Sequence, residues 1–549
     1  MSRRNSNAPS EGKTPAARLG EVNRVSPFLL SDAPKSLPTL RWAAGGLLVL
    51  GILSRILGLA REVISAYLFG VSAQLDSLYL GMSLPAVITL ALGSGLVRAG
   101  VAASAGLATE RLAGLATTGV WRLAKRLIPY SLILAVLTSL IAWYALATMQ
   151  VVALPLIMAC VLGSLTLVGV GMAGMLSGIA NARGNHVGSA VTPLVYNVVL
   201  ILTIVLTHAP FGVLSICFGF FLAEWVQVLC YKLAVGKDVR LAKPKFEMAD
   251  YQAWMHRFWP AAFAALLMGA NLVIDRFFTV RLGEGATAAL SYSDKLINMP
   301  AGLLGVALAV PLFTRLSRYR AQGREAAYRV TLLLGIRLLL VAGIPISVLV
   351  LFMAEPIVAI ILQRGAFDVH AVSLCSQALR GYALGMPFIA MSLLLIGASL
   401  TTKNPWRLVW WLFVSVLLNT LLNAVLSPRF GVAGIAMSTS IVAVFRVVVL
   451  LQLVSPQVLS SLNLRKSFAG IMLAVLPGGL MLGLYTWYGD ANQATTLWER
   501  LTVVGVGGLI FTVCSFISLP LIRRELASLG RMRTKAAQAN GAFVKSKRS

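Results

Sequence analysis

The chain has 549 residues, of which 58% are hydrophobic and only 12% charged, and its formal net charge is +28. Soluble domains carry about 25% charged residues, so the composition excludes an ordinary soluble domain. Apolar runs of about 20 residues, each long enough to cross a hydrocarbon core of roughly 30 Å, recur from residue 41 almost to the end. They predict an all-α polytopic membrane protein.

In chain order, residues 1–40 are rich in Ser, Pro, Ala and Arg and read as a disordered cytoplasmic leader. No apolar stretch precedes a small-residue cleavage site there, so the leader does not resemble a signal peptide. Fourteen spans follow, near 41–69, 75–104, 127–148, 151–180, 187–207, 211–231, 258–280, 290–314, 330–353, 371–400, 406–428, 431–454, 467–488 and 501–520. They divide into an N-lobe of six spans (41–235), a cytoplasmic linker (236–257), a C-lobe of six (258–455), two appended spans (456–522) and a basic cytoplasmic tail (523–549).

The positive charge is distributed by side, and this argues against nucleic acid as its partner. About 35 of the 47 Lys and Arg fall on alternate segments beginning with the N-terminus, as the positive-inside rule expects. The other loops hold only Arg281, Arg364, Arg429 and Arg500. Both termini are therefore expected on the cytoplasmic face. The five cysteines stand singly within apolar spans and read as small core residues, and the four histidines form no ligand pair. "EGKT" at 11–14 lacks the first glycine of a phosphate-binding loop, with Asn7 in its place.

Two stretches repeat. "AREVISAYLFGVSAQLDSLYLGMSLP" and "DRFFTVRLGEGATAALSYSDKLINMP" align Arg61 with Arg276, Gly70 with Gly285, Leu75 with Leu290 and Pro85 with Pro300, each pair 215 positions apart. "FGVLSI" from Phe211 and "FGVAGI" from Phe430 give a second echo. Both matches shift the chain by six spans, which predicts two lobes related by a pseudo-two-fold axis along the membrane normal, with a substrate site between them.

Eight basic residues lie in or near spans: Arg55, Arg61, Arg98, Arg276, Lys295, Arg337, Arg380 and Arg446. Facing lipid, at about 2.5 kcal/mol each, they would cost roughly 20 kcal/mol. Pairing is the bland account: Glu62 or Asp275 for Arg61, Asp275 for Arg276, and snorkelling for Arg337, Arg380 and Arg446. Five embedded acids (Glu62, Asp76, Glu224, Asp275, Asp294) leave about three bases over, and a cavity with surplus positive charge suits an anion. Arg55 lies about 21 Å into span 1, too deep to snorkel, and Gly58 permits a bend that would bring Arg55 and Arg61 to one cavity. Their planar forks suit phosphate oxygens, so a diphosphate head group is the expected ligand. Pro85 and Pro300, each inside an otherwise continuous span, are hinge candidates with Gly58.

The stretches "SRILGLAREV…YLFG…LDSLYLGMSLP", "YSDKLINMPAGLLGVALAVPLFTRLSR" and, more weakly, "NARGNHVGSAVTPLVYN" resemble the MurJ (MviN) flippase family of the multidrug/oligosaccharidyl-lipid/polysaccharide exporter superfamily, over residues 40–520. The resemblance implies two lobes that carry undecaprenyl-diphosphate-linked saccharide, lipid II, across the bacterial inner membrane by alternating access. It implies a transporter, not an enzyme. It calls for no cofactor and leaves ion or membrane-potential coupling and contact with glycan-synthesis machinery open. It carries substrate contact to Arg55, Arg61, Asp76 and Lys295, to which the repeat adds Arg276. Departures stand at Ala86, Thr89, Leu90, Ser94 and Asn298, where the family typically has asparagine, an arginine pair and two acids. They keep a flippase for an exopolysaccharide unit on the same carrier as the alternative. A drug or cation antiporter would need embedded acids in excess, and a membrane glycan polymerase would need a larger external catalytic segment.

Overall fold

The computed structural model describes residues 37–461, apart from 105–106, 150, 184, 306–311, 313–314, 317–318, 321 and 401–405, together with positions 479, 502, 505, 506, 508 and 509. Helices α1 (Leu37–Phe69), α2 (Ala73–Ser104), α3 (Val120–Thr148), α4 (Ala153–Ala182), α5 (His186–Phe211), α6 (Leu214–Ala234), α7 (Met248–Thr279), α8 (Ala286–Leu304), α9 (Glu325–Leu362), α10 (Val369–Ala383), α11 (Met386–Leu400) and α12 (Trp406–Val454) follow in order, with no strand among the described residues. Over their described residues the first twelve expected spans each coincide with helix: span 10 is the bent pair α10–α11, and spans 11 and 12 are the two arms of α12. Of the last two spans only those six isolated positions are described, and most of the leader and the tail lie outside the described residues.

Among the described residues eight helices, or nine with the bent pair counted as one span, are long and apolar enough to cross a membrane. Helices α1 and α8 are not in that set. Both carry charges within their span: Arg55, Arg61 and Glu62 in one, Asp294 and Lys295 in the other.

The repeat reappears in the backbone. Gly212 adopts φ 53° and ψ −133°, and Gly431 adopts φ 57° and ψ −135°. Each is the glycine of an "FGV" triplet, and each allows a sharp break between consecutive helices at a φ that a side chain would strain. Gly70 and Gly285, the pair from the longer repeat, also have positive φ, 57° and 80°.

Between helices in a membrane, association depends on close van der Waals approach. Here α2 and α4 meet through small residues: a Cβ on Gly81 would lie 2.5 Å from the Leu156 carbonyl oxygen, and one on Gly174 3.2 Å from that of Gly93. Pro85 has no N–H for the carbonyl of Gly81 four residues earlier. The thiol of Cys160 on α4 donates to that oxygen at 3.6 Å, so this cysteine offsets the bond removed by the proline.

Helix α7 has two allegiances. Its first half belongs to the core of the N-terminal helices: Tyr251, Trp254, Phe258 and Ala262 pack with Leu96, Leu123, Met175 and Ile179. The indole Nε1 of Trp254 donates to the Leu96 carbonyl at 3.0 Å. Its second half bonds to α12 through Asp275. Helix α7 therefore joins the two groups of helices.

Gly100 and Gly178 face each other beside the Trp254 ring, and a methyl group on Gly100 would overlap that ring. Gly100→Ala is expected to destabilise the fold by about 1–3 kcal/mol through overpacking, read as a lower thermal-unfolding midpoint in detergent. An unchanged midpoint would show that the indole can withdraw at no cost.

Candidate functional site

A cavity of about 390 Å³ lies between the lobes, and helices α1, α2, α4, α5, α6, α7 and α8 all contribute to its wall. Its charged side chains are Arg61, Arg276 and Lys295 on one side of the balance and Glu62 and Glu224 on the other. The α1 and α7 arginines related by the repeat thus face the same space from opposite lobes.

Arg61 is paired. Its guanidinium bonds the neighbouring Glu62 carboxylate, lies 3.5 Å from the Asn197 side-chain oxygen and sits 5.6 Å from the centre of the Phe220 ring. Arg276 forms no ion pair with a carboxylate among the described residues. It donates to the Tyr79 backbone oxygen, stacks 5.2 Å from the centre of the Tyr79 ring, and leaves its buried Nε without a partner. Lys295 is exposed at the cavity wall, with no ion pair to a described residue. Glu224, 6% exposed, presents one carboxylate oxygen without a hydrogen bond. With Glu62 bound to Arg61, the cavity keeps two bases against one acid.

Asp275 does not neutralise either arginine, contrary to the pairing considered from sequence. Its carboxylate accepts from the amides of Asn419 (2.8 Å) and Asn423 (2.7 Å) and from the Thr439 hydroxyl (3.3 Å), all on α12. Adjacent helical residues point about 100° apart, and Asp275 turns into the C-terminal helices while Arg276 turns to the cavity. The amide oxygens of Asn419 and Asn423 are buried with no hydrogen bond. With both amides turned over, one carboxylate, two amide oxygens and a hydroxyl would offer the oxygen donors that hard cations take. A single negative charge suits a monovalent cation. No cluster of three His, Cys, Asp or Glu exists among the described residues.

Arg55 is not among the cavity's lining residues. Its guanidinium lies against Gly302 of α8, where a Cβ would overlap it. Helix α1 is unbroken through Gly58, so no bend brings Arg55 beside Arg61. Instead Asn197 of α5 approaches both the Arg61 guanidinium and, at 3.5 Å, the Ser54 carbonyl. Ala86 and Thr89 line the cavity, whereas Leu90 is 56% exposed and lies outside it. Pro85 and Pro300 lie within continuous helix. Among the remaining bases, Arg380 sits 3.4 Å from Glu355.

Asp76 also lies outside the cavity, at the end of the bundle where α1 passes into α2. Its two carboxylate oxygens accept, each at 2.7 Å, from the backbone N–H groups of Gly285 and Ala288. It therefore caps α8 from another helix, with its charge at the positive end of the helix dipole. Around it the lobes are stitched by backbone. Ala366 N–H donates to the Tyr67 carbonyl (2.9 Å), Ala73 N–H to Glu284 (3.1 Å), and the Tyr292 hydroxyl to the Gly70 carbonyl (3.4 Å). Gly70 itself touches the Ala366 backbone so closely that a Cβ would overlap it. This end of the cavity is sealed.

Sequence reasoning found Arg61, Arg276 and Lys295 from the cost of embedding charge, but it missed Tyr79, Asn197, Asn419, Asn423 and Thr439. Neutral polar residues are inexpensive in a span, so only their convergence marks them.

The family described as Lipid II flippase MurJ matches residues 65–496. A relative from Vibrio cholerae serotype O1, named a probable lipid II flippase MurJ, is 28% identical over 359 residues, covering 63% of this chain and 67% of the relative. One from Burkholderia cenocepacia, named lipid II flippase MurJ, is 27% identical over 422 residues, covering 71% and 79%. Among solved structures, a lipid II flippase MurJ in an inward closed conformation matches with a TM-score of 0.72 at 20% identity, over 88% of this chain and 99% of the other. An inward-facing multidrug resistance MATE family transporter of the MOP superfamily matches at 0.57 and 13% identity, over 76% and 99%. These likenesses establish the shared fold.

Asp76→Asn keeps the shape of the cap but turns one acceptor into a donor facing an N–H. Charge-assisted hydrogen bonds contribute about 1.5–3 kcal/mol, so the seal should open at least about tenfold more often. A cysteine at Ser291, which lines the cavity, should then react correspondingly faster with an impermeant maleimide added at the sealed end. Equal labelling rates with and without the Asn would remove Asp76 from the seal.

Proposed function

We propose that this chain, which belongs to the lipid II flippase MurJ family, carries lipid II, an undecaprenyl-diphosphate-linked saccharide, from the inner to the outer leaflet of the bacterial cytoplasmic membrane. The observation that carries the reading is the inter-lobe cavity with Arg276 and Lys295 left without carboxylate partners and Arg61 across from them. Bases left without an ion pair lower the energy of an anion at that spot. Arginine in particular offers two parallel donors to a phosphate.

In this reading Arg276 and Lys295 bind the diphosphate first, and Arg61 exchanges Glu62 for a phosphate oxygen. Tyr79 and Phe220, each already stacked on an arginine, hold the guanidinium planes in position. A cavity of about 390 Å³ takes the diphosphate and the sugar beside it, so the remaining head group enters as the lobes part. The charge distribution along the chain supports a cytoplasmic Arg111 end and an outer Asp76 seal. Substrate then enters from the cytoplasmic side and leaves when the seal opens.

Energy for resetting the lobes comes, in this reading, from a monovalent cation at Asp275, Asn419, Asn423 and Thr439. The cation supplies positive charge to a buried carboxylate, and binding it requires both amides to turn their oxygens inward. Because Asp275 sits on α7 and its partners on α12, occupancy shifts the helix that joins the lobes.

Arg61→Ala and Arg276→Ala should each lower flipping ten- to hundredfold, from the loss of about 1.5–3 kcal/mol per charge-assisted contact. The readouts are a reconstituted-vesicle assay and rescue of cells depleted of their lipid II flippase. Arg55→Ala should cost less, since Arg55 packs against α8. Thr89→Arg should strengthen binding, whereas Leu90→Arg should not, because position 90 faces away from the cavity. Wild-type flipping by both alanine variants of the cavity would overturn the assignment.

Flipping should also depend on a monovalent cation, and Asp275→Asn should abolish that dependence. Exchange of sodium, potassium and choline across the vesicle membrane measures it. A rate indifferent to all three in the unaltered protein would leave the oxygen cluster a purely structural brace.

A further inference from the structure

A second groove, of about 460 Å³, opens between α2, α3 and α7, away from the inter-lobe cavity. Leu92 and Leu96, Leu127, and Phe258, Phe263 and Leu266 form its trough. At one end the lining becomes polar: Arg126 lies there with its guanidinium 5.7 Å from the centre of the Tyr251 ring. The Tyr251 hydroxyl is buried and has no hydrogen-bond partner among the described residues. A buried donor left unmade costs about 1–3 kcal/mol, so this hydroxyl calls for an acceptor.

The lip around that end is basic and not neutralised. Arg122 stacks 4.8 Å from the centre of the Phe246 ring and meets the Met248 sulfur at 3.4 Å, and Lys125 stacks 5.6 Å from Trp121. Neither they nor Arg126 pair with a carboxylate among the described residues. The nearby acids, Glu247 and Asp250, are both engaged by Arg111. Tyr251 and Leu266 are fifteen residues apart on α7, about 22 Å along the axis, enough to cover one leaflet's share of a roughly 30 Å hydrocarbon core. The outer wall is aromatic and open: Trp259 is 57% exposed and stacks at 6.1 Å on Phe263.

We infer that this groove binds one anionic phospholipid of the leaflet at the basic end. One acyl chain fills the trough, the phosphate lies on Arg126 with Arg122 and Lys125 beside it, and an ester or phosphate oxygen accepts from Tyr251. An apolar trough open to the bilayer favours a chain over a soluble anion, and three unpaired bases favour a negative head group over a zwitterion. The bound lipid holds the first half of α7 against α2 and α3, and so biases the helix that joins the lobes.

Native mass spectrometry of the full chain, delipidated and then mixed with equal amounts of phosphatidylglycerol and phosphatidylcholine, tests this. The unaltered protein should retain one phosphatidylglycerol in preference. Arg126→Gln, at an exposed position, should weaken that retention about fivefold. Leu92→Trp, which fills the trough, should abolish it, and Lys243→Gln, an exposed base away from the groove, should leave it unchanged. Equal retention of both lipids by the unaltered protein would reduce the groove to ordinary boundary lipid. Full phosphatidylglycerol retention by Arg126→Gln would overturn the site.

Discussion

The structure is organised by the cost of placing charge and unpaired backbone where water is scarce. In a bilayer every polar group must be satisfied by protein or by an enclosed aqueous space. Asp275 and Arg276 show how one helix meets that demand twice. The aspartate is satisfied by three side chains of α12, and the arginine by a carbonyl and a tyrosine ring of α2 at the edge of the cavity. Consecutive residues thus tie α7 to both lobes, and the orphaned oxygens and nitrogen that remain are the places a ligand can act.

The seal follows the same rule. A helix start buried between lobes leaves N–H groups without acceptors, and Asp76 supplies both oxygens to α8 across the interface. Because the cap comes from the opposite lobe, parting the lobes exposes those groups to water, which can replace the carboxylate. That makes the contact reversible at modest cost. The glycines beside it, Gly70 and Gly285, let backbones approach where any side chain would hold them apart.

Membership of a flippase family and the polarity of the cavity agree. A cavity for cationic drugs would keep acids in excess, whereas among the residues lining this one Glu62 is engaged by Arg61, leaving Glu224 beside Arg276 and Lys295. The MATE likeness is one of fold.

Hydropathy determined the membrane class and placed twelve helices, because a span must be apolar for its full length whatever its neighbours are. The 215-residue repeat and the two "FGV" triplets determined the two-lobe plan, since the glycines encode a backbone angle that other residues resist. The penalty for embedding charge marked eight bases from their positions in the spans, of which Arg61, Arg276 and Lys295 line the cavity and Arg55 does not. Which way each charge points was decided only by the tertiary structure. Neighbours on a helix differ by about 100°, and the partner that captures each one is remote in sequence: Asn419 for Asp275, Gly285 for Asp76, Gly302 for Arg55. Those contacts join residues 144 to 247 positions apart, and no local pattern records them.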